Sequence, residues 1–325
     1  MKNSNRQTNK TSTRRLGPAI FIAIILAFLA VTWPRTAEGQ ITNGVFASGS
    51  SPYGKTYAQW SAGWWQWNFS RPTTNSSIQD TAPISIGQTG TVWFLGGTFG
   101  SSGARTRTGS VPEGTALFFP IVDSWADNAN CPVDHYTTTQ LRSIAASYQD
   151  QAFAMSCTID GQNTVDLNGA STSYRVQSPI FNYTVPGVHN YLYDLFGATC
   201  YLHLDGTPFA ITGAVADGVY LMVAPLPAGL HTIHFSGAIP NFIEDITYNL
   251  TVVPTPVLTL ALDGSGGYFL RFNGVPDLGY RLQRAPSVAG PWSSLVTNTA
   301  PVSGLIEYHE TSPVPGAAFY RTMQP

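Results

Sequence analysis

Six side chains that could do chemistry lie within one short stretch. Asp123, Asp127, Asn128, Asn130, Asp134 and His135 follow an apolar run, Thr115–Val122. Oxygen ligands at such spacing suit a hard cation, so Asp123, Asp127, Asn128 and Asn130 form a candidate Ca²⁺ set. Carboxylates on a loop after a buried strand could also work as acid and base, which makes Asp123 and Asp127 the catalytic candidates. Plain turn chemistry competes with both readings, because Asp and Asn bond their own backbone in loops. The D-x-D-x-D-G order of a calcium loop is absent.

Two histidines make a second candidate. His231 and His234 sit in a β-branched run after Pro227-Ala-Gly229. Positions i and i+3 of a strand point to opposite faces, so the pair cannot share one ion. His231 remains a catalytic candidate only with a distant partner. The adjacent acids Glu244-Asp245 open a later strand and read as solvated. No G-x-S-x-G elbow, H-E-x-x-H helix, P-loop or dinucleotide fingerprint occurs. Sugar binding needs exposed rings beside polar groups. Trp65, Trp125, Tyr136 and Tyr191 are the candidates, the last within the aromatic run Tyr191–Phe196.

The elements that must position these residues follow from spacing. Half of the eight tryptophans fall between Tyr57 and Phe69. Tyr57, Trp60, Trp64 and Trp67 recur at helical spacing, so residues 53–69 read as a helix with those rings on a core face and Trp65 to one side. A second helix is expected over 138–153, capped by Thr137 or Thr138, with Leu141, Ile144, Ala145 and Tyr148 on one face. From Ser156 onward short strands alternate with turns. Asp160-Gly161, Asp205-Gly206, Asp217-Gly218 and Asp263-Gly264 read as hairpin turns. Strands are expected at 156–160, 173–177, 181–185, 200–204, 219–223, 230–235 and 247–252.

Val253-Pro-Thr-Pro256 reads as a linker. Beyond it, strands recur about every ten residues, the pattern of a small Ig-like module. The expected fold is mainly β: an antiparallel β-sandwich with one or two packed helices over 40–253, then an Ig-like sandwich over 254–325.

The N-terminal 39 residues carry a basic start, an apolar run from Ala19 to Val31 and small residues Ala37 and Gly39 before Gln40, the pattern of a secretory signal peptide. Without them ten Lys+Arg face seventeen Asp+Glu, a net charge of −7. That balance disfavours nucleic acid. No other apolar stretch reaches spanning length. Three cysteines in an exported chain imply one disulfide and one thiol, and Cys131–Cys157 is the expected pair.

Four stretches, Trp60–Trp67, Val92–Phe99, Val111–Ile121 and Ala216–Met222 with His231-Thr-Ile-His234, resemble an uncharacterised family of exported bacterial proteins over about residues 53–253. Tyr280-Arg-Leu-Gln-Arg284, Gly290-Pro-Trp292 and Phe319-Tyr-Arg321 are similar to a C-terminal β-sandwich of many exported bacterial proteins. The first resemblance implies no activity; the second implies an accessory module for attachment or spacing. The expected function is a secreted or surface-associated, non-catalytic binding protein with extracellular polysaccharide as partner. The alternatives are a polymer hydrolase using the Asp-rich loop, and a structural envelope or matrix component.

Overall fold

The computed structural model describes residues 40–99, 103–169, 171–311 and 318–324. The expected leader lies outside the described residues. Among the described residues no helix is long and apolar enough to cross a membrane. The chain is mainly β. Its strands are β1 (Ile41–Thr42), β2 (Val45–Phe46), β3 (Val92–Phe94), β4 (Gly103–Pro112), β5 (Ala116–Ala126), β6 (Phe153–Ile159), β7 (Gln162–Asn163), β8 (Arg175–Gln177), β9 (Phe181–Val185), β10 (Phe209–Val223), β11 (Gly229–Ile239) and β12 (Phe242–Val253). Six more follow: β13 (Thr259–Leu262), β14 (Tyr268–Asn273), β15 (Gly279–Ala285), β16 (Ser293–Thr299), β17 (Leu305–Glu310) and β18 (Phe319–Met323). The helices are α1 (Tyr57–Phe69), α2 (Thr138–Gln149) and the one-turn α3 (Tyr191–Asp194).

Long strand β10 organises the first sheet. It pairs with β2, β5, β8 and β9, and β3 joins the far edge of β5. A second sheet runs β4-β12-β11-β6-β7. The two face each other, with Phe119 of β5 stacked on Phe235 of β11 at 4.7 Å. Helix α1 covers the other face of the first sheet through Tyr57 and Trp60, which pack on Phe118. The pairing is not wholly antiparallel: β3–β5 and β12–β4 run parallel. Strands β13 to β18 form two three-stranded antiparallel sheets. Phe272, Tyr280, Ala300 and Ile306 make their small core.

Both long helices begin on the same device. Thr56 and Thr137 each cap their helix, and Gln59 and Gln140 reach back to the cap nitrogen. Helix α2 stops at Gln149, earlier than expected, since Phe153 already opens β6. Asp160-Gly161 turns the β6–β7 hairpin and Asp263-Gly264 lies between β13 and β14. Asp217-Gly218 is not a turn; it lies inside β10, where Arg175 and Gln177 hold the buried Asp217 carboxylate. Cys200 to Leu204 is not a strand either. It opens as a short 3₁₀ turn, Thr199–Tyr201, because Cys200 is tied to Cys131.

That bond corrects the expected disulfide. Cys131 pairs with Cys200, Cα to Cα 5.9 Å, and Cys157 is a buried thiol on β6. Cys157 faces inward beside Thr164, and burial pushes its thiol up to about 12.

Candidate functional site

A cleft of about 700 Å³ opens where α1, the 97–99 segment, the C-terminal half of β5 and the start of β12 meet. Its geometry depends on one irregularity in β5. Val219 of β10 pairs with Val122 and Tyr220 pairs with Pro120, so Ile121 is an extra residue, a β-bulge. Before the bulge Phe118 faces α1 and Phe119 faces the second sheet. After it the parity is reversed. Asp123 and Trp125 point to the α1 side, where Asp123 meets Tyr220 and Trp125 packs on Trp65 and Phe69. Ser124 donates to the Ala145 carbonyl of α2 on the opposite side. The bulge thus aims Asp123 into the cleft, since a one-residue shift exchanges the faces of everything that follows.

Asp123 is half-buried in the cleft wall. Tyr220 Oη donates to its Oδ2 at 3.0 Å and accepts from Trp65 Nε1 at 3.1 Å. Burial pushes the Asp123 carboxyl well above the usual range; the Tyr220 bond opposes this, and the nearby Glu244 charge adds to it. Gly218 lies opposite Asp123 in the ladder, and a methyl group there would stand 2.9 Å from Asp123 Cα.

The second carboxyl is one that the sequence reading set aside. Glu244 is not solvated; it is 3% exposed and lines the same cleft. Its Oε1 accepts from the Thr98 backbone N–H at 2.6 Å and its Oε2 from the Thr98 hydroxyl at 2.9 Å. Burial raises it to about 7, against the Thr98 bonds and the positive charge of Arg107, with Asp245 adding to the rise. The 96–98 turn that brings Thr98 here is itself fixed. Arg107 donates to the Gly96 carbonyl at 2.6 Å and the Ile78 carbonyl at 2.8 Å, and Tyr248 Oη accepts from the Gly96 N–H at 3.0 Å.

Aromatic rings form the mouth. Tyr136, Tyr148 and Phe196 are exposed there, while Trp125, Phe99 and Phe242 are half-buried. Among the described residues, no Lys, Arg or His lines the cleft. The disulfide joins the Asp-rich loop to the turn at Thr199–Tyr201, and Asn130 and Tyr136 of that loop belong to the cleft wall.

The expected site residues fare unequally. Asp123, Trp125 and Tyr136 come together at the cleft. Trp65 lines it too, but as a 2%-exposed core ring and not an exposed platform, because the first sheet and the 97–99 segment enclose α1 nearly all round. Tyr191 is fully buried with its hydroxyl against Ser76, so it is no contact for a ligand. His231 lies away from the cleft, between Asp160 (2.7 Å) and the Pro227 carbonyl (2.9 Å). Burial works to lower its pKa, but these partners outweigh it and hold the ring above its ordinary value.

Asp123, Asp127 and Asn130 of the calcium set all line the cleft, but their oxygens are engaged within the protein. Asp127 Oδ1 accepts from the Ala129 N–H and Oδ2 from Trp125 Nε1 and the Tyr183 hydroxyl. Asn128 bonds both backbone groups of Tyr136, and Asn130 accepts from the Cys131 N–H. These side chains fold the loop and orient Trp125, as Asx chemistry does. Among the described residues, no three His, Cys, Asp or Glu side chains gather as a metal group.

Thr98 and Tyr220 were missed, Tyr148 was expected on a core face, Glu244 was set aside as solvated, and Phe196 entered only through the run Tyr191–Phe196. Glu244 had a signal. It shares strand parity with Ile246, Tyr248, Leu250 and Val252, all buried. The bulge had one as well, for Pro120 interrupts a central strand, where proline marks an irregularity.

No family model matches this chain, and no curated protein matches it. Among solved structures, the crystal structure of the CD2-binding domain of CD58 (lymphocyte function-associated antigen 3) aligns over 64% of this chain and 84% of its own. Its identity is 9% and its TM-score 0.23, a likeness that carries no argument.

Proposed function

We propose that this is an exported protein that binds an uncharged glycan in the aromatic cleft. One observation carries the reading: exposed and half-buried rings surround two inward carboxyls, with no basic group among the described lining residues. Sugar rings pack on aromatic faces while their hydroxyls need polar partners. The missing basic groups favour neutral chains over uronate, sulfate or phosphate polymers, because an anion would meet carboxyls without a counter-charge. The basic and apolar N-terminal segment and a disulfide fit an oxidising, extracellular setting. The last seventy residues fit an accessory module that attaches or spaces the cleft.

The test is retention on insoluble neutral polysaccharides against an acidic one. Binding to a neutral polymer that falls about tenfold or more in Trp125→Ala and Tyr136→Ala supports the reading. Equal retention of wild type and both variants, or preference for the acidic polymer, ends it.

A further inference from the structure

We propose that Asp123 and Glu244 are the proton donor and the base of a hydrolytic site that cuts the glycosidic bonds of the bound chain. This rests on the glycan-binding reading of the same cleft and departs from a non-catalytic role. Two carboxyls from different sheets, on β5 and β12, line one cavity. Each stands over a glycine, Asp123 over Gly218 and Glu244 over Gly97, so backbone has been cleared to admit them. Each is held from behind: Asp123 Oδ2 by Tyr220, and both oxygens of Glu244 by Thr98.

Other acids in the cleft are spoken for. Asp127 is more heavily engaged, accepting from three donors, the Trp125 Nε1–H, the Tyr183 hydroxyl and the Ala129 N–H, where Glu244 accepts from two, both on Thr98, and Asp123 from Tyr220. Asp134 accepts from Asn130 at the loop surface. Buried carboxyls without a cation at the cleft are what a proton-transfer site needs, since burial brings an acid toward the pH at which it works. Asp123, whose carboxyl burial and the Glu244 charge push up against the Tyr220 bond, takes the donor's role. Glu244 faces Thr98, Arg107 and Asp245 and titrates near neutrality, so above that point it can accept.

The step balances with water as the only co-reactant. Asp123 passes its proton to the glycosidic oxygen as the C1–O bond breaks and the electron pair moves to that oxygen. A water oxygen bonds to C1, and its proton goes to Glu244. Two shorter glycans leave, one with a new reducing end. Exchange with solvent returns the proton to Asp123 and removes it from Glu244. Carboxyl pairs perform this chemistry on many folds.

The experiment pairs reducing-end release with calorimetric binding of neutral oligosaccharides. Full-length wild type, Asp123→Asn, Glu244→Gln and His231→Gln are compared. The expected result is release by wild type and His231→Gln, with losses of about a hundredfold or more in the two carboxyl variants. Their oligosaccharide affinity stays within about threefold and their melting temperatures show the fold is intact. The wild-type rate rises with pH through about 7, as Glu244 ionises. Binding by wild type without release removes the catalytic inference and leaves the binding reading standing. Release that survives in either variant also overturns it. Absence of binding removes both.

Discussion

The Glu244 carboxyl occupies the space in which a side chain on Gly97 would stand. A methyl group at Gly97 would overlap Oε1 and come within 2.8 Å of Cδ. Gly97 has ordinary backbone angles, so the demand is one of room and not of conformation. Gly97→Ala is expected to cost about 1–3 kcal/mol by overpacking. Gly49, where an added methyl group would meet nothing within 4 Å, should tolerate alanine within about 0.5 kcal/mol. Thermal melts of both variants check this; equal melting temperatures would mean that the carboxyl does not sit on Gly97.

Stability should rise as the solution becomes more acidic between about pH 7 and pH 4.5. Glu244 has an ordinary value of 4.5 and is raised to about 7 in the folded chain. Between those values the folded state holds a proton that the unfolded state has released, so stability falls as pH rises through the window. The Glu244 share is on the order of 3 kcal/mol across it. Asp123, whose carboxyl is also raised, acts in the same direction. Glu244→Gln should flatten the slope of denaturation midpoint against pH. A slope unchanged by that substitution would contradict the burial of this carboxyl.

Peptide mapping should recover Cys131 linked to Cys200, with Cys157 alkylated only after unfolding. The bridge spans a sequence separation of 69 residues. By loop closure alone its removal costs about 4 kcal/mol. Cys200→Ser should therefore lower the melting temperature and weaken glycan retention, because the loop bearing Tyr136 loses its tether. A Cys131–Cys157 peptide would refute the pairing.

Chelation should leave the melting curve unchanged. Asp127, Asn128 and Asn130 already spend their oxygens on loop backbone and on the Trp125 and Tyr183 side chains. A fall in melting temperature on adding a calcium chelator, reversed by excess Ca²⁺, would show that the loop holds a cation after all.

Where residues repeat with a clear period, the sequence was readable. Strands such as Phe181–Val185 and Tyr268–Asn273 alternate between faces, and α1 follows from the spacing of its tryptophans. The candidate site was half legible. Asp123, Trp125 and Tyr136 stand out by type and by their place after a buried strand. Glu244 was hidden because its neighbour Asp245 is solvated and drew both into one surface pair; only parity with Ile246 and Tyr248 separates them. Trp65 misled because helical spacing places residues around an axis but does not say how many sides are covered. Tyr148 failed in the opposite sense: it shares a face with Leu141 and Ala145, yet lines the cleft and is 52% exposed. The Cys131–Cys200 pair could not be read at all, since connectivity depends on where distant loops meet.

Ile121 makes β5 two rulers read out of phase. In the first length the even positions face α1, and in the second the odd ones do. The first length is packed into the interior, with Leu117 to Ile121 almost wholly enclosed. The second lines the cleft. If the proposed binding holds, substitutions at 123 or 125 retune it while Phe118 and Phe119 keep the layers together. On the glycan-binding proposal, ligand preference and folding have separate addresses along a single eleven-residue strand.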